Sequence, residues 1–192
     1  MINFSEYFQG GYDYEAFLEK YGKPGERERW NAMHARIELT DAQRALLAGF
    51  TREMKVLVMA GTWCGDCVEQ CPIFAHFAAA SPRIQLRFVD RDEAAPAGAV
   101  ALSDELLLCG APRVPQVVFI SEDDHPVARY GDRTLAKYRD MAATLGGAAC
   151  PSGIGGPVGD LLAATVQEWL DEFERAQLIL RTSGRLRNLH GD

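Results

Sequence analysis

The sequence predicts an α/β fold, a mixed sheet of about four strands flanked by helices, with further helices at both ends of the chain. Short apolar runs alternate with helix-period segments through the middle of the chain. Two of the strand candidates are separated by a turn short enough for a hairpin. A chain of 192 residues favours one domain with extensions over two complete domains, and it can bury a core without disulfides or a metal.

Residues 1–39 carry no strand signal. Phe4, Tyr7, Phe8, Tyr12, Tyr14, Phe17 and Tyr21 recur mostly every three or four residues, so this segment reads as short helices broken at Gly10-Gly11 and at Gly22-Lys23-Pro24. It either docks its aromatics on the main body or forms a lid or dimer surface beside the functional site. Thr40-Asp41 starts a helix running from Ala42 to Phe50. The apolar run Lys55–Ala60 is a buried strand. A turn at 62–67 leads into a helix reaching about Ala80. Ile84–Val89 is a second strand, and Ala97–Cys109 is read as mostly helical. Gln116–Ile120 and Val127–Tyr130 are the third and fourth strands, joined by Glu122-Asp-Asp-His-Pro126. Thr134 caps a helix to about Leu145.

The stretch 146–159 holds six glycines and two prolines and reads as a loop, without the strand or the Gly-Lys-Ser/Thr ending of a phosphate cradle. Beyond it Leu162, Val166, Trp169, Leu170 and Phe173 form one stripe of a helix from about Asp160 to Leu180, which implies core packing first and a partner helix second. The domain reading is therefore a helical extension over 1–39, the α/β core over 40–145, the Gly-rich loop over 146–159, and a C-terminal helix and tail over 160–192. Strand–helix–strand crossovers imply parallel neighbours, with one antiparallel strand added by the hairpin.

Hydrophobic residues make up 47% and charged residues 24% of the chain, and the net charge is −7. That balance argues against a general nucleic-acid binder. Only Arg181–Arg187 is locally basic, which reads as a solvated helix end. The opening Met1-Ile2-Asn3-Phe4-Ser5-Glu6 lacks a secretion-signal pattern, and no apolar run approaches the ~20 residues that span a bilayer. A cytoplasmic location without membrane attachment is the expectation. Five cysteines are an odd number and too few for a disulfide scaffold, so redox chemistry and metal binding are the readings to separate.

Cys64 follows the first strand and opens a helix, where free backbone N–H groups and the macrodipole favour a thiolate. A dipole contribution of ~1–2 kcal/mol lowers a thiol pKa by ~1 unit or slightly more. Cys67 lies one turn on, better shielded, as the resolving thiol. Asp66 between them opposes the thiolate, which favours a reductant over a strong oxidant. Cys64, Cys67 and Cys71, with Pro72 following, also match the end of a ferredoxin-type cluster motif, so a metal or iron–sulfur protein completed by Cys109 or Cys150 is an alternative. Cys71 shares a stripe with Cys67, Phe74 and Ala78 and is better read as a small core residue, with a regulatory thiol as the other option. The histidines at 34, 76, 125 and 190 show no metal-ligand spacing.

Trp63-Cys64-Gly65-Asp66-Cys67 together with Val114-Pro115 resembles the thioredoxin superfamily, and more closely the bacterial thioredoxin-like proteins with a helical N-terminal extension and a Trp-Cys-Gly-Asp motif. The resemblance covers roughly residues 40–145. It implies a thioredoxin fold and a thiol–disulfide oxidoreductase without cofactor. Its partners would be disulfide-containing proteins or small thiols and an upstream electron donor; a homodimer is left open. A non-catalytic module of the same fold is a further alternative. Pro72 matches the proline that kinks the family's active-site helix, Val89-Asp90 closes the second core strand as in the family, and Val114-Pro115 matches its cis-proline. Trp63, Gly65, Asp66, Pro72, Val114 and Pro115 are thus the expected support for Cys64 and Cys67. Two departures stand out: the family's buried aspartate is Val58 here, and its lysine partner is Leu86.

Overall fold

The computed structural model describes residues 2–93, 95, 100–144 and 159–192. The first half of the chain gives α1 (Phe4–Gly10), α2 (Tyr14–Tyr21), α3 (Pro24–His34), α4 (Asp41–Ala48), β1 (Met54–Ala60), α5 (Gly65–Ala80) and β2 (Ile84–Asp90). It continues through α6 (Leu102–Glu105), β3 (Gln116–Ser121), β4 (Pro126–Gly131), α7 (Leu135–Thr144), α8 (Leu161–Thr182) and α9 (Gly184–His190).

The four strands lie in the order β2-β1-β3-β4. β1 runs parallel to β2, with Val58 opposite Phe88, and antiparallel to β3, with Val58 opposite Val117. β3 and β4 form the antiparallel hairpin, with an irregularity between Phe119 and Ile120. β1 and β3 are central and buried almost throughout, which is why both read as unbroken apolar runs. β4 is an edge strand, half exposed.

Two expectations need correction. β3 is antiparallel to β1, so among the described residues β1–β2 is the one parallel pair and no long helix lies between β2 and β3 to carry a parallel crossover. The helix expected over 97–109 reduces to the single turn of α6, residues 96–99 lying outside the described part. It ends at Glu105, where Leu106 (φ −94°, ψ 48°) leaves helical geometry, and a tight turn follows in which Cys109 (φ 52°) and Gly110 (φ 74°) are both left-handed, with Leu108 and Ala111 paired across it. Two successive positive φ values define a hairpin turn, not a helix. Leu145, Cys150 and the glycine-rich stretch up to residue 158 fall outside the described residues.

Helix boundaries follow local chemistry. Asp13 accepts from the Ala16 amide at 2.8 Å, Thr40 and Gln43 form a reciprocal capping box, Pro24 occupies the first turn of α3, and Asp160 caps α8. The α8 stripe enters the core as expected. Trp169 meets Phe74 edge-on at 4.5 Å, and Phe173 meets both Phe77 and Phe119 at 5.1 Å. α9 was not read from the sequence; Ser183 caps it and Leu186 anchors it. The arginines at 181, 185 and 187 are exposed.

The N-terminal aromatics pack on the sheet's β2 side. Phe17 stacks on Phe88 at 5.3 Å, Tyr14 meets Phe88 at 6.0 Å, and Trp30 is wholly buried. Tyr12 pairs with Phe88 through both backbone hydrogen bonds, 2.8 and 2.7 Å, a single bridge in a segment that carries no strand signal. Among the described residues no helix is long and apolar enough to cross a membrane.

Candidate active site

β1 ends at Ala60 and α5 begins at Gly65, so the four residues between them carry the chain from a buried strand to a helix N-terminus. Cys64 occupies the N-cap of α5, in an extended conformation. Its sulfur is partly exposed, whereas Cys67 and Cys71 are buried. All three are free thiols. The Cys64 Sγ lies 3.7 Å from the carbonyl oxygen of Val114, and the Val114–Pro115 peptide bond is cis. The sulfur and the proline loop, fifty residues apart in sequence, are thereby brought together.

The two thiols titrate as a pair. Burial pushes the Cys67 thiol well up. At Cys64 the hydrogen bond with Cys67 pushes the thiol up most, burial adds to it, and the amides of Cys67 and Asp66 pull it down. Cys64 is the more exposed of the two residues and takes hydrogen bonds from the amides of Cys67 and Asp66.

Trp63 is 43% exposed and is held flat by two neighbours. The Arg91 guanidinium sits 4.4 Å from its ring centroid, a cation–π contact, and a Cβ at Gly61 would lie 2.7 Å from the indole. Only glycine leaves that space. Gly65 opens the helix at the surface. Pro72 lies inside the uninterrupted α5, buried and about two turns beyond Cys64, set back from the exposed sulfur. Val58 and Leu86, the positions of the family's aspartate and lysine, are both buried and apolar.

Asp66 is not a free carboxylate. Arg133, just after β4, grips it with two hydrogen bonds, Nε to Oδ1 at 2.9 Å and Nη2 to Oδ2 at 2.6 Å. The same guanidinium reaches Asp132 Oδ2 at 3.4 Å. Asp132 is buried, bound by Arg113 at 3.0 Å and by the Tyr138 hydroxyl. Burial opposes its ionisation, but the Tyr138 and Arg113 hydrogen bonds outweigh burial and hold the carboxyl below its usual range. Gln70 ties the same loop to the helix, its amide donating to the carbonyls of Asp66 (3.1 Å) and Asp132 (3.0 Å). Trp169 of α8 donates to the Gln70 oxygen at 2.9 Å.

Gly131, with φ 144°, presses against the proline loop: a Cβ there would stand 2.4 Å from the Pro115 carbonyl oxygen. On the opposite flank, Trp30 Nε1 donates to the Thr62 carbonyl at 2.9 Å, and the Thr62 hydroxyl donates to Glu26 at 2.8 Å. Sequence reasoning missed Arg133, Asp132, Gln70 and Trp30. Each makes at least one bond to a residue more than thirty positions away, at no motif spacing, so no local signal marks them. Among the described residues no group of three or more His, Cys, Asp or Glu side chains is placed to hold a metal ion.

The thioredoxin family's sequence model matches residues 11–145. None of the curated proteins matches. Among solved structures, the chain is similar to PA1234, a protein of unknown function from Pseudomonas aeruginosa. That likeness has a TM-score of 0.64 at 20% identity and covers 94% of this chain and 98% of that one. It is also similar to an HIV epitope scaffold of the 4E10 series, with a TM-score of 0.61 at 20% identity over 95% and 99% of the two chains. At these identities the two structures speak for the shared fold, whereas the sequence match covers most of the chain and the α/β core with its cysteine pair. The chain belongs to the thioredoxin family.

Proposed function

We propose that this protein is a thiol–disulfide oxidoreductase that reduces disulfides through Cys64 and Cys67. One observation carries the reading: a partly exposed thiol at a helix N-cap, with a buried partner thiol one turn on, beside a cis-proline loop. The Cys64 thiolate attacks one sulfur of the substrate disulfide, forming a mixed disulfide and expelling the other sulfur as a thiolate that takes up a proton. Cys67 then loses its proton and attacks the Cys64 sulfur. The Cys64–Cys67 disulfide forms and the second substrate thiol leaves. Two electrons pass from the protein to the substrate, and an upstream dithiol donor restores the pair.

Burial of Cys67 keeps it protonated until the mixed disulfide forms, which orders the two attacks. The cis-proline loop offers backbone for an extended substrate to pair with, and the exposed face of Trp63 adds apolar contact. Suitable substrates are protein disulfides or small-thiol disulfides. A reducing compartment suits this direction.

The test is reduction of a model protein disulfide with dithiothreitol as donor. Cys64→Ser should abolish turnover, and Cys67→Ser should stop after one attack, accumulating mixed disulfides that mass spectrometry identifies on Cys64. Turnover that survives Cys64→Ser would refute the assignment. Stoichiometric zinc or iron in protein purified under reducing conditions would refute it in favour of a metal site.

A further inference from the structure

We propose that Arg133 is a positioning residue for Cys64: its guanidinium fork holds and neutralises the Asp66 carboxylate, the negative charge that the motif itself sets two residues from the nascent thiolate. The inference rests on Cys64 being the nucleophile and names what tunes it.

The geometry is that of a built clamp. Both ends of the Arg133–Asp66 pair are largely withdrawn from solvent, with side chains 19% and 17% exposed. The contact is bidentate, which a lysine cannot reproduce. Arg133 is itself oriented by Asp132 at 3.4 Å and by the Tyr138 ring, 5.8 Å from its guanidinium carbon. Asp132 already receives Arg113 and the Tyr138 hydroxyl, so the two better bonds of Arg133 go to Asp66. Two carboxylates and two guanidiniums make the cluster neutral. Without Arg133 it carries a net negative charge, located at the residue between the two cysteines.

The elements near the cysteine pair carry a small set of charged and titratable groups. Asp66 and Cys67 come from α5, with Cys71 behind them. Arg91 follows β2 and is spent on Trp63 and on Asp92, at 2.8 Å. Arg113 precedes the proline loop, Asp132 and Arg133 follow β4, and Tyr138 lies on α7. Within this set Arg133 is the cation that pairs Asp66. The motif therefore tolerates an aspartate where it opposes a thiolate because a distant arginine cancels it.

The measurement is the rate of Cys64 alkylation by iodoacetamide against pH, read on the Cys64 peptide of the reduced full-length protein. Arg133→Met should raise the midpoint by about 0.5–1 unit. Adding Asp66→Asn to that variant should bring it back to within about 0.3 unit of the unmodified protein, since both charges are then gone. Arg133→Lys should shift it less than Met does. Asp66→Asn alone, which does not depend on Arg133→Met folding, should lower the midpoint because Arg133 is left unpaired. An unchanged midpoint in Arg133→Met or in Asp66→Asn, a shift in Arg133→Lys as large as that in Arg133→Met, or a double variant that stays shifted, overturns the proposal. Failure of the unmodified protein to turn over disulfides, with this pattern intact, would sink the proposed function and leave the clamp standing.

Discussion

Replacing Trp30 with Phe removes one N–H and part of one ring while keeping an aromatic body in the same buried place. The indole nitrogen donates to the Thr62 carbonyl at 2.9 Å, and both residues are almost wholly buried. Phe leaves that carbonyl without its donor, a loss of about 1–3 kcal/mol for an unpaired buried polar group. The missing part of the indole leaves a void of roughly 40 Å³, which at about 24 cal/mol per Å³ adds ~1 kcal/mol. The sum is about 2–4 kcal/mol, a large part of the 5–15 kcal/mol typical of a domain. Urea unfolding followed by far-UV circular dichroism should show a lower midpoint at unchanged slope. The Tm should fall by about 6–12 °C for a 3 kcal/mol loss in a chain of this size. Because Thr62 stands two residues before Cys64, alkylation of Cys64 should also lose its single-exponential course if the turn loosens. A destabilisation below about 1 kcal/mol would refute the reasoning, meaning that another donor serves the Thr62 carbonyl.

Two further outcomes follow from the same geometry. Gly131→Ala should destabilise the protein by roughly 3 kcal/mol, because the backbone at φ 144° excludes a side chain and the new Cβ would overlap the Pro115 oxygen; a urea midpoint equal to that of the parent would refute this. Burial, and behind it the neighbouring His76, hold the His34 imidazole below its ordinary value. The unfolded chain then binds the extra proton first, so stability from this group is full above the unfolded value of about 6.5 and is lost as pH falls through it towards the folded value. Urea midpoints should therefore drop between about pH 7 and 5.5, and His34→Gln should flatten that drop; equal slopes in the two proteins would refute it.

What could be read from the sequence is what short-range physics determines. The strand at 55–60, the helix opening at Cys64 and the stripe through Trp169 and Phe173 each carry their own periodicity, and the structure places them close to the boundaries that pattern implies. The antiparallel placement of β3 against β1 does not follow from any local pattern, since a buried strand reads the same in either direction. The helix expected at 97–109 shortens to the single turn of α6, because the chain leaves helical geometry at Leu106 and then closes a turn at Cys109-Gly110 that apolar spacing does not reveal. At the site, the cysteines, Trp63 and Pro115 announce themselves by motif. Asp66 was legible as a charge but not as a paired one, because its partner Arg133 is supplied by a loop sixty-seven residues later.

The bridge between Tyr12 and Phe88 has a consequence for the chain's behaviour in a crowded solution. A bare outer strand invites a stranger's backbone to add on, and sheets that grow this way end as insoluble fibres. Here Tyr12 occupies both backbone groups that Phe88 turns outward, near the middle of β2. The other rim opens with Pro126, which has no N–H to lend. A nascent chain that has closed this one bridge has already blunted its more apolar rim, before a second molecule can template upon it.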